Sequence, residues 1–164
     1  MVQQRRPRPR TDEKNAGELL VDPVNVRLLG ELRRNPRSTM SELGRRVGLS
    51  PPAVTERVQR LERSGIIAGY RLDIDPGALG MPLAAYVRIR PGPGMLPKAI
   101  EAARETPEVV ECHRITGEDC LLVRVQVPTI EELEAVIDGF LLYGQTTSSI
   151  VQSSPVPPRP LPLP

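Results

Sequence analysis

A polar stripe in the first half of the chain has the residue types and spacing needed to read duplex DNA. Val54, Val58 and Leu61 recur at helical spacings, so Gln59 and Arg63 point away from them on the same helix. A glutamine can hydrogen-bond a base edge in the major groove, and an arginine can bind a base or a phosphate. We therefore predict a DNA-contacting surface that comprises Arg45, Arg46, Ser50, Pro51, Pro52, Thr55, Glu56, Arg57, Gln59, Arg60 and Arg63.

The charge around this stripe favours contact with phosphates. Residues 33–63 contain eight arginines and three glutamates, a net charge of +5. The arginines flank the predicted helix while Thr55 and Gln59 lie in its middle, which separates phosphate-binding groups from base-reading groups. An ordinary helical hairpin with a solvated, charged face is the alternative, but such a face does not require this order.

Two short helices joined at Gly48 would position these side chains. Thr39 and Glu42 have the spacing of a capping box, which marks the start of the first helix. Ser50 and Pro51 supply an N-cap and a first-turn proline for the second helix. The core that the two helices share would contain Leu43, Val47, Leu49, Val54, Val58 and Leu61.

The flanking segments extend this unit to a DNA-binding domain, which we place at residues 20–69. A preceding helix starts at Asp22 and stops before Pro36, so the unit has three helices. Residues 66–74 are apolar and β-prone, which predicts a wing or a connecting strand. Residues 1–19 are rich in arginine and proline and should form a disordered basic arm, either touching DNA or only solvating the chain.

The period of the apolar residues changes from Met81 onwards. Alternation predicts four strands and helical spacing predicts two helices, in the order βαββαβ. That order is the ferredoxin-like arrangement, an α+β fold with two helices on one face of an antiparallel sheet. Leu122 beside Leu121 indicates apolar residues on both faces, so we expect a second subunit to cover the open face. We place this domain at residues 81–154, after a linker at 70–80 and before a proline-rich tail at 155–164.

Composition argues against several other classes of protein. The chain has no run of about 18 apolar residues and no apolar signal segment, so we expect a cytoplasmic, nucleoid-associated protein. Adjacent Cys112 and His113 point to opposite faces of a strand and cannot share one metal ion, so core cysteines are favoured over a metal or redox site. Cys120 is the only other cysteine, which leaves no disulfide framework. We predict no catalytic residues, no metal and no cofactor.

Two segments, LSPPAVTERVQRLERSGIIAGY and ECHRITGEDCLLVRVQVP, give the chain a family resemblance over about residues 20–154. The sequence resembles the Lrp/AsnC family of bacterial and archaeal transcription regulators. The resemblance implies a winged helix-turn-helix joined to a ferredoxin-like ligand-sensing domain of the RAM type. It also implies homodimers, often assembled into octamers, that bind amino acids or related metabolites between subunits.

The resemblance implies an effector site at the loop between the second and third strands. Gly117 lets backbone approach a ligand, Glu118 and Asp119 can meet an ammonium group, and the last strand offers hydroxyls. The predicted effector contacts are Gly117, Glu118, Asp119, Thr146, Thr147 and Ser149. The family often has Gly-x-x-Asp here, whereas this chain has the aspartate one place early, followed by Cys120. The alternative is that Gly117 only permits a turn and the hydroxyls decorate an edge strand.

These observations predict a sequence-specific transcriptional regulator whose DNA affinity or assembly responds to an amino acid or a related metabolite. An architectural protein of the same fold, which coats DNA without sensing a metabolite, is the main alternative. A sensing module that does not bind DNA is a further alternative, and retention of duplex DNA at moderate salt distinguishes it.

Overall fold

The structure, a computed structural model, describes residues 13–164, with side chains from residue 17 onwards. The chain divides into two compact units. The first unit contains the described residues up to Leu72 together with Pro158–Pro164, and the second contains Asp73–Pro157.

Four helices form the first unit: α1 (Glu13–Val21), α2 (Pro23–Arg34), α3 (Met40–Val47) and α4 (Pro51–Arg63). The apolar stripes of α2, α3 and α4 meet in one core, as the predicted periodicity requires. The buried members of that core are Leu28, Leu32, Leu43, Val47, Val54 and Val58. The three predicted helices are therefore confirmed as α2, α3 and α4.

The start of α3 and the turn that follows it are fixed by local chemistry. The Glu42 amide donates to Thr39 Oγ1 (3.2 Å) and the Thr39 amide donates to the Glu42 carboxylate (2.8 Å), which confirms the predicted capping box. Gly48 ends the helix in the left-handed conformation, with φ of 77°. At Gly44, an added Cβ would lie 2.5 Å from the Leu49 carbonyl oxygen, so the turn can pack this closely only against glycine.

Two sequence predictions about the first unit are wrong. Residues 13–19, assigned to the disordered arm, belong to α1, which is anchored because Leu19 is buried and its carbonyl accepts a hydrogen bond from Asn25 Nδ2 (2.9 Å). Residues 1–12 of that arm lie outside the described residues. Residues 66–74, predicted as a wing or connecting strand, form no strand in the part of the chain that the structure describes. Leu72 and Ile74 are exposed, and a strand needs a neighbour to pair its backbone groups.

The second unit has the predicted βαββαβ order. Its elements are β1 (Leu83–Pro91), α5 (Leu96–Glu105), β2 (Val109–Arg114), β3 (Leu121–Val127), α6 (Ile130–Leu141) and β4 (Gly144–Ile150). All neighbouring strands are antiparallel and the sheet order is β2-β3-β1-β4. The α+β, ferredoxin-like fold class is thereby confirmed.

One face of the sheet packs on the two helices. Alternate residues of β1 and β3 are fully buried there, as in the pairs Val87↔Val123 and Ala85↔Val125, against Phe140 of α6. Leu122 lies on the opposite face, as the adjacent leucines predict, but there it and Tyr86 lie among many charged side chains. These charged side chains are Arg88, Arg90, Glu111, His113 and Arg124.

The cysteines also differ from the prediction of core positions. Cys112 is exposed because β2 is an edge strand, although partial burial still raises the pKa of its thiol. Cys120 is half-buried. Within residues 13–164, no group of three or more histidines, cysteines and acidic residues could hold a metal ion, and no helix is long and apolar enough to cross a membrane.

The capping box yields a stability prediction with an internal control. Thr39→Ala removes the acceptor for the Glu42 amide and should lower the free energy of unfolding of the first unit by about 1 kcal/mol. Ser50 occupies the N-cap position of α4 but makes no side-chain capping bond, so Ser50→Ala should cost much less. Urea unfolding of the two variants followed by circular dichroism measures both changes. Equal losses in the two variants would contradict the capping assignment.

Candidate DNA-binding surface and effector loop

Helix α4 presents a polar face to solvent and an apolar face to the core. Val54 and Leu61 are fully buried, and the opposite side of the helix exposes four side chains at helical spacing. These are Pro52, Glu56, Gln59 and Arg63, as the periodicity predicts. An exposed helix carrying glutamine and arginine can place hydrogen-bonding groups against base edges in a major groove.

The first turn of α4 carries the predicted residues Ser50, Pro51, Pro52 and Thr55. The first three are exposed, and the two prolines lack the amide hydrogens that a helix N-terminus usually presents. The Ser50 hydroxyl makes no capping bond, so it stays available at the surface. Thr55 is half-buried and donates its hydroxyl proton to the Pro51 carbonyl oxygen (2.9 Å).

The predicted arginines differ in how they are engaged. Arg60 pairs with Glu56 on the exposed face of α4 (2.7 Å), and Arg46 pairs with Glu31 (2.7 Å). Both pairs are exposed enough that a phosphate can compete for the arginine. Arg45 and Arg63 are exposed and form no ion pair within the described part of the chain. These two cations are therefore accessible beside the exposed face of α4.

Arg57 is engaged inside the unit and does not join the exposed face. Its Nη1 donates to the Asp22 carboxylate and to Asn25 Oδ1 (2.9 Å), both at the start of α2. The hydrogen bond from Arg57 holds the pKa of Asp22 below its usual range. The structure thus separates Arg57 from the other predicted DNA contacts. Helical periodicity alone could not reveal this, because the partners of Arg57 lie at the start of α2.

A tyrosine that sequence reasoning assigned no role fixes the chain just after α4. Tyr70 donates its hydroxyl proton to the Glu62 carboxylate (3.0 Å). Burial, together with this bond to an anion, raises the pKa of Tyr70 to about 12. The tyrosine is therefore neutral near pH 7 and ties the linker to the last turn of the helix.

The predicted effector loop connects β2 to β3. Gly117 has φ of 112°, and an added Cβ would meet nothing within 4 Å, so the glycine is needed for conformation and one side of the backbone is open. The Cys120 amide donates to the Ile89 carbonyl oxygen (3.0 Å), which holds the end of the loop against β1.

Two arginines of β1 lie against this loop, and sequence reasoning did not assign them to the site. Arg90 pairs with Glu118, while Asp119 lies 3.8 Å from Arg88 Nε and 3.9 Å from Arg90 Nε. Arg88 and Arg90 are two residues apart, so both lie on one face of the strand, and this spacing is visible in the sequence. Their acidic partners depend on the β1–β3 register, which the sequence does not show.

The structure brings part of the predicted hydroxyl group to this face. Thr147 is the register partner of Arg88 and Ser149 is that of Tyr86, so both share the face of the two arginines. Thr146 pairs with buried Ile89 and therefore lies on the face that the helices cover. The arrangement offers cations, carboxylates and hydroxyls side by side, which suits a zwitterionic ligand.

Comparison with known proteins identifies both units. Residues 22–68 match a family model described as winged helix-turn-helix DNA-binding, and residues 84–161 match one described as the Lrp/AsnC ligand binding domain. The HTH-type transcriptional regulator LrpC of Bacillus subtilis is 32% identical over 133 residues, 81% of this chain and 92% of LrpC. The chain belongs to the Lrp/AsnC family. Like its relatives, it is a DNA-binding transcriptional regulator and not an enzyme.

Other Lrp/AsnC proteins support the assignment over most of the chain. The solved structure of LrpC aligns with a TM-score of 0.76 and covers 80% of this chain and 94% of LrpC. The leucine-responsive regulatory protein of Haemophilus influenzae is 34% identical over 133 residues, 79% of this chain and 80% of that protein. The feast or famine regulatory protein of M. tuberculosis, solved in complex with L-methionine, is 33% identical with a TM-score of 0.79, and the match covers 88% of this chain and 99% of that one.

Proposed function

We propose that this Lrp/AsnC regulator reads duplex DNA at the nucleoid with the exposed face of α4, and that an amino acid bound at the β2–β3 loop changes its self-association and DNA affinity. The main support for the DNA-reading role is that Gln59 and Arg63 are exposed on the side of α4 opposite its buried apolar residues. The two matched domain models support the division of labour between the units.

In this proposal the exposed residues of α4 have distinct tasks. Gln59 lies in the third turn with no neighbour bound to its amide among the described side chains, so it can donate to and accept from an adenine edge. Arg63 and Arg45 bind phosphates, which contributes affinity without sequence preference. Glu56 keeps Arg60 in place through their ion pair, and Arg60 turns to a phosphate when the helix enters the groove.

Substitutions should distinguish the residues that recognise bases from those that bind phosphates. Gln59→Ala should relax preference at one base position by about 1–3 kcal/mol, because only base contacts discriminate sequences. Arg63→Ala should weaken all sequences alike and reduce the salt dependence of binding by roughly one phosphate. Selection of duplexes from a random pool, followed by affinity measurements on the enriched and randomised sequences at several salt concentrations, measures both effects. An unchanged sequence ranking in Gln59→Ala would exclude α4 as the reading helix.

The charges around the β2–β3 loop support an amino-acid effector. Arg88 and Arg90 can bind a carboxylate. The Asp119 side chain is 26% exposed and lies 3.8 and 3.9 Å from the two arginines, so its carboxylate is only loosely paired and can bind an ammonium group. The hydroxyls of Thr147 and Ser149 lie on the same face. An amino acid has the two opposite charges that such a surface can pair. The L-methionine complex of the M. tuberculosis relative makes methionine the first candidate to test.

Self-association is the second part of the proposal. The sheet face opposite the helices carries Tyr86 and Leu122 among the charges, and the linker exposes Leu72 and Ile74 at alternating positions. An exposed, alternating segment without a partner strand is a pairing edge for a second copy. We propose a homodimer formed through these surfaces, which can assemble further into an octamer. A ligand that binds near a shared surface is linked to assembly by mass action.

Effector binding should depend on Asp119. Asp119→Asn removes the charge that would meet the ammonium and should lower the affinity for the effector about tenfold, the loss typical of one charge-assisted hydrogen bond. Glu101→Gln is the matched control, because Glu101 forms an exposed ion pair with Arg104 on α5, on the other side of the sheet. Calorimetry with methionine and a panel of amino acids measures affinity, and sedimentation with and without ligand measures assembly.

Two outcomes would contradict this assignment. An undiminished ligand response in folded Asp119→Asn would place the effector site elsewhere. A protein that remains a monomer at micromolar concentration with and without ligand would exclude the proposed coupling between effector and assembly.

A further inference from the structure

Arg57 differs from the other arginines of α4 because it reaches back toward the start of α2. Its Nη1 donates to the Asp22 carboxylate and to Asn25 Oδ1 (2.9 Å). The Arg57 and Asp22 side chains are 30% and 32% exposed, against 51% for Arg60 on the outer face. The guanidinium therefore lies at the seam between two helices.

The acceptors of Arg57 are themselves held from the other side. Asn25 is 3% exposed, and its Nδ2 donates to the Leu19 carbonyl oxygen of α1 (2.9 Å). Asp22 is the N-cap of α2, with its Oδ1 accepting from the Val24 amide (2.8 Å). Asp22, Asn25 and Arg57 each have a defined hydrogen-bond partner, so the network favours one geometry.

We propose that Asp22, Asn25 and Arg57 form a clasp that sets the orientation of α4 for reading DNA, and that Arg57 does so without touching DNA. This inference rests on the proposed function of α4. The hydrogen bond from Arg57 lowers the pKa of the Asp22 carboxyl group, which favours its ionised form at neutral pH. Arg57 is in these terms a positioning residue, and Gln59 and Arg63 are the residues that contact the duplex.

A directional clasp adds something that the apolar core does not supply. Leu28 of α2 packs with Val54 and Val58 of α4, but apolar contacts are not directional and tolerate small rotations of a helix about its axis. Base readout does not tolerate them, because binding groups must stay within about 10–20° of their productive geometry. Hydrogen bonds from one guanidinium to two fixed acceptors restrict that rotation.

Salt dependence distinguishes a positioning arginine from a phosphate-binding one. In Arg57→Met, the affinity for the duplex selected by the wild type should fall about tenfold, the effect of losing a charge-assisted hydrogen bond that preorganises the site. The slope of log affinity against log salt concentration should stay at the wild-type value. In the control Arg63→Met, this slope should shrink by about 0.9, the value for one phosphate contact. A similar shrinkage in Arg57→Met would overturn the clasp.

Asp22→Asn gives an independent test, because the two possible roles of Arg57 predict opposite changes in DNA affinity. Asparagine still caps a helix, but it loses the charge that holds Arg57, so the clasp predicts weaker DNA binding. Glu18→Gln is the control, since it removes a nearby exposed carboxylate and should leave DNA affinity unchanged or slightly higher. If Arg57 instead bound DNA, Asp22→Asn would free it and affinity would be maintained or rise, which would overturn the proposal.

The double variant and a folding control complete the experiment. Asp22→Asn/Arg57→Met should bind DNA no more weakly than Arg57→Met alone, because both changes break the same interaction. Thermal unfolding of each variant establishes that the protein is folded at the assay temperature, and Asp22→Asn decides the question if Arg57→Met does not fold. A wild-type protein that prefers no duplex over competitor DNA would reject the proposed function, and the clasp with it, before any variant is compared.

Discussion

The close contact between α3 and the turn that leads into α4 is the constraint on which DNA reading depends. At Gly44 the α3 backbone lies so near the Leu49 carbonyl oxygen that even a methyl group would be 2.5 Å from it. The amides of Gly48 and Leu49 both donate to the Gly44 carbonyl oxygen (2.8 and 3.0 Å). This compact turn fixes the angle at which α4 leaves α3, and the proposed alignment of the outer face of α4 with a groove depends on that angle.

In the second unit, charged groups of both signs lie next to each other. Strand register achieves this, because antiparallel pairing of β1 with β3 brings Arg88 and Arg90 to the loop that carries Glu118 and Asp119. The same pairing explains why the open face of the sheet is largely charged, with the arginines neutralised by carboxylates. In the proposed effector site, a zwitterionic ligand would exchange with these internal pairs at little electrostatic cost, since it offers one charge for each that it displaces.

Local patterns in the sequence were sufficient for the helices, the strands and the fold class, because each depends on periodicity and capping within a few residues. The Thr39 capping box and the buried alternation of β1 are examples. What the sequence did not reveal depends on contacts between distant residues: the partners of Arg57, the arginines beside Asp119, and the edge position that exposes Cys112. The segment at residues 66–74 has the composition of a strand, but composition cannot supply the neighbouring strand that a ladder needs.

We propose that one chain both recognises a DNA sequence and senses an amino acid. The most direct measurement is retention of the duplex upstream of the protein's own gene, against an excess of unrelated duplex at moderate salt, with and without methionine and a panel of other amino acids. We expect preferential retention of the upstream duplex, and a shift in that affinity with at least one amino acid. Tight retention of every duplex alike, unchanged by any amino acid, would contradict it and indicate an architectural DNA-coating protein.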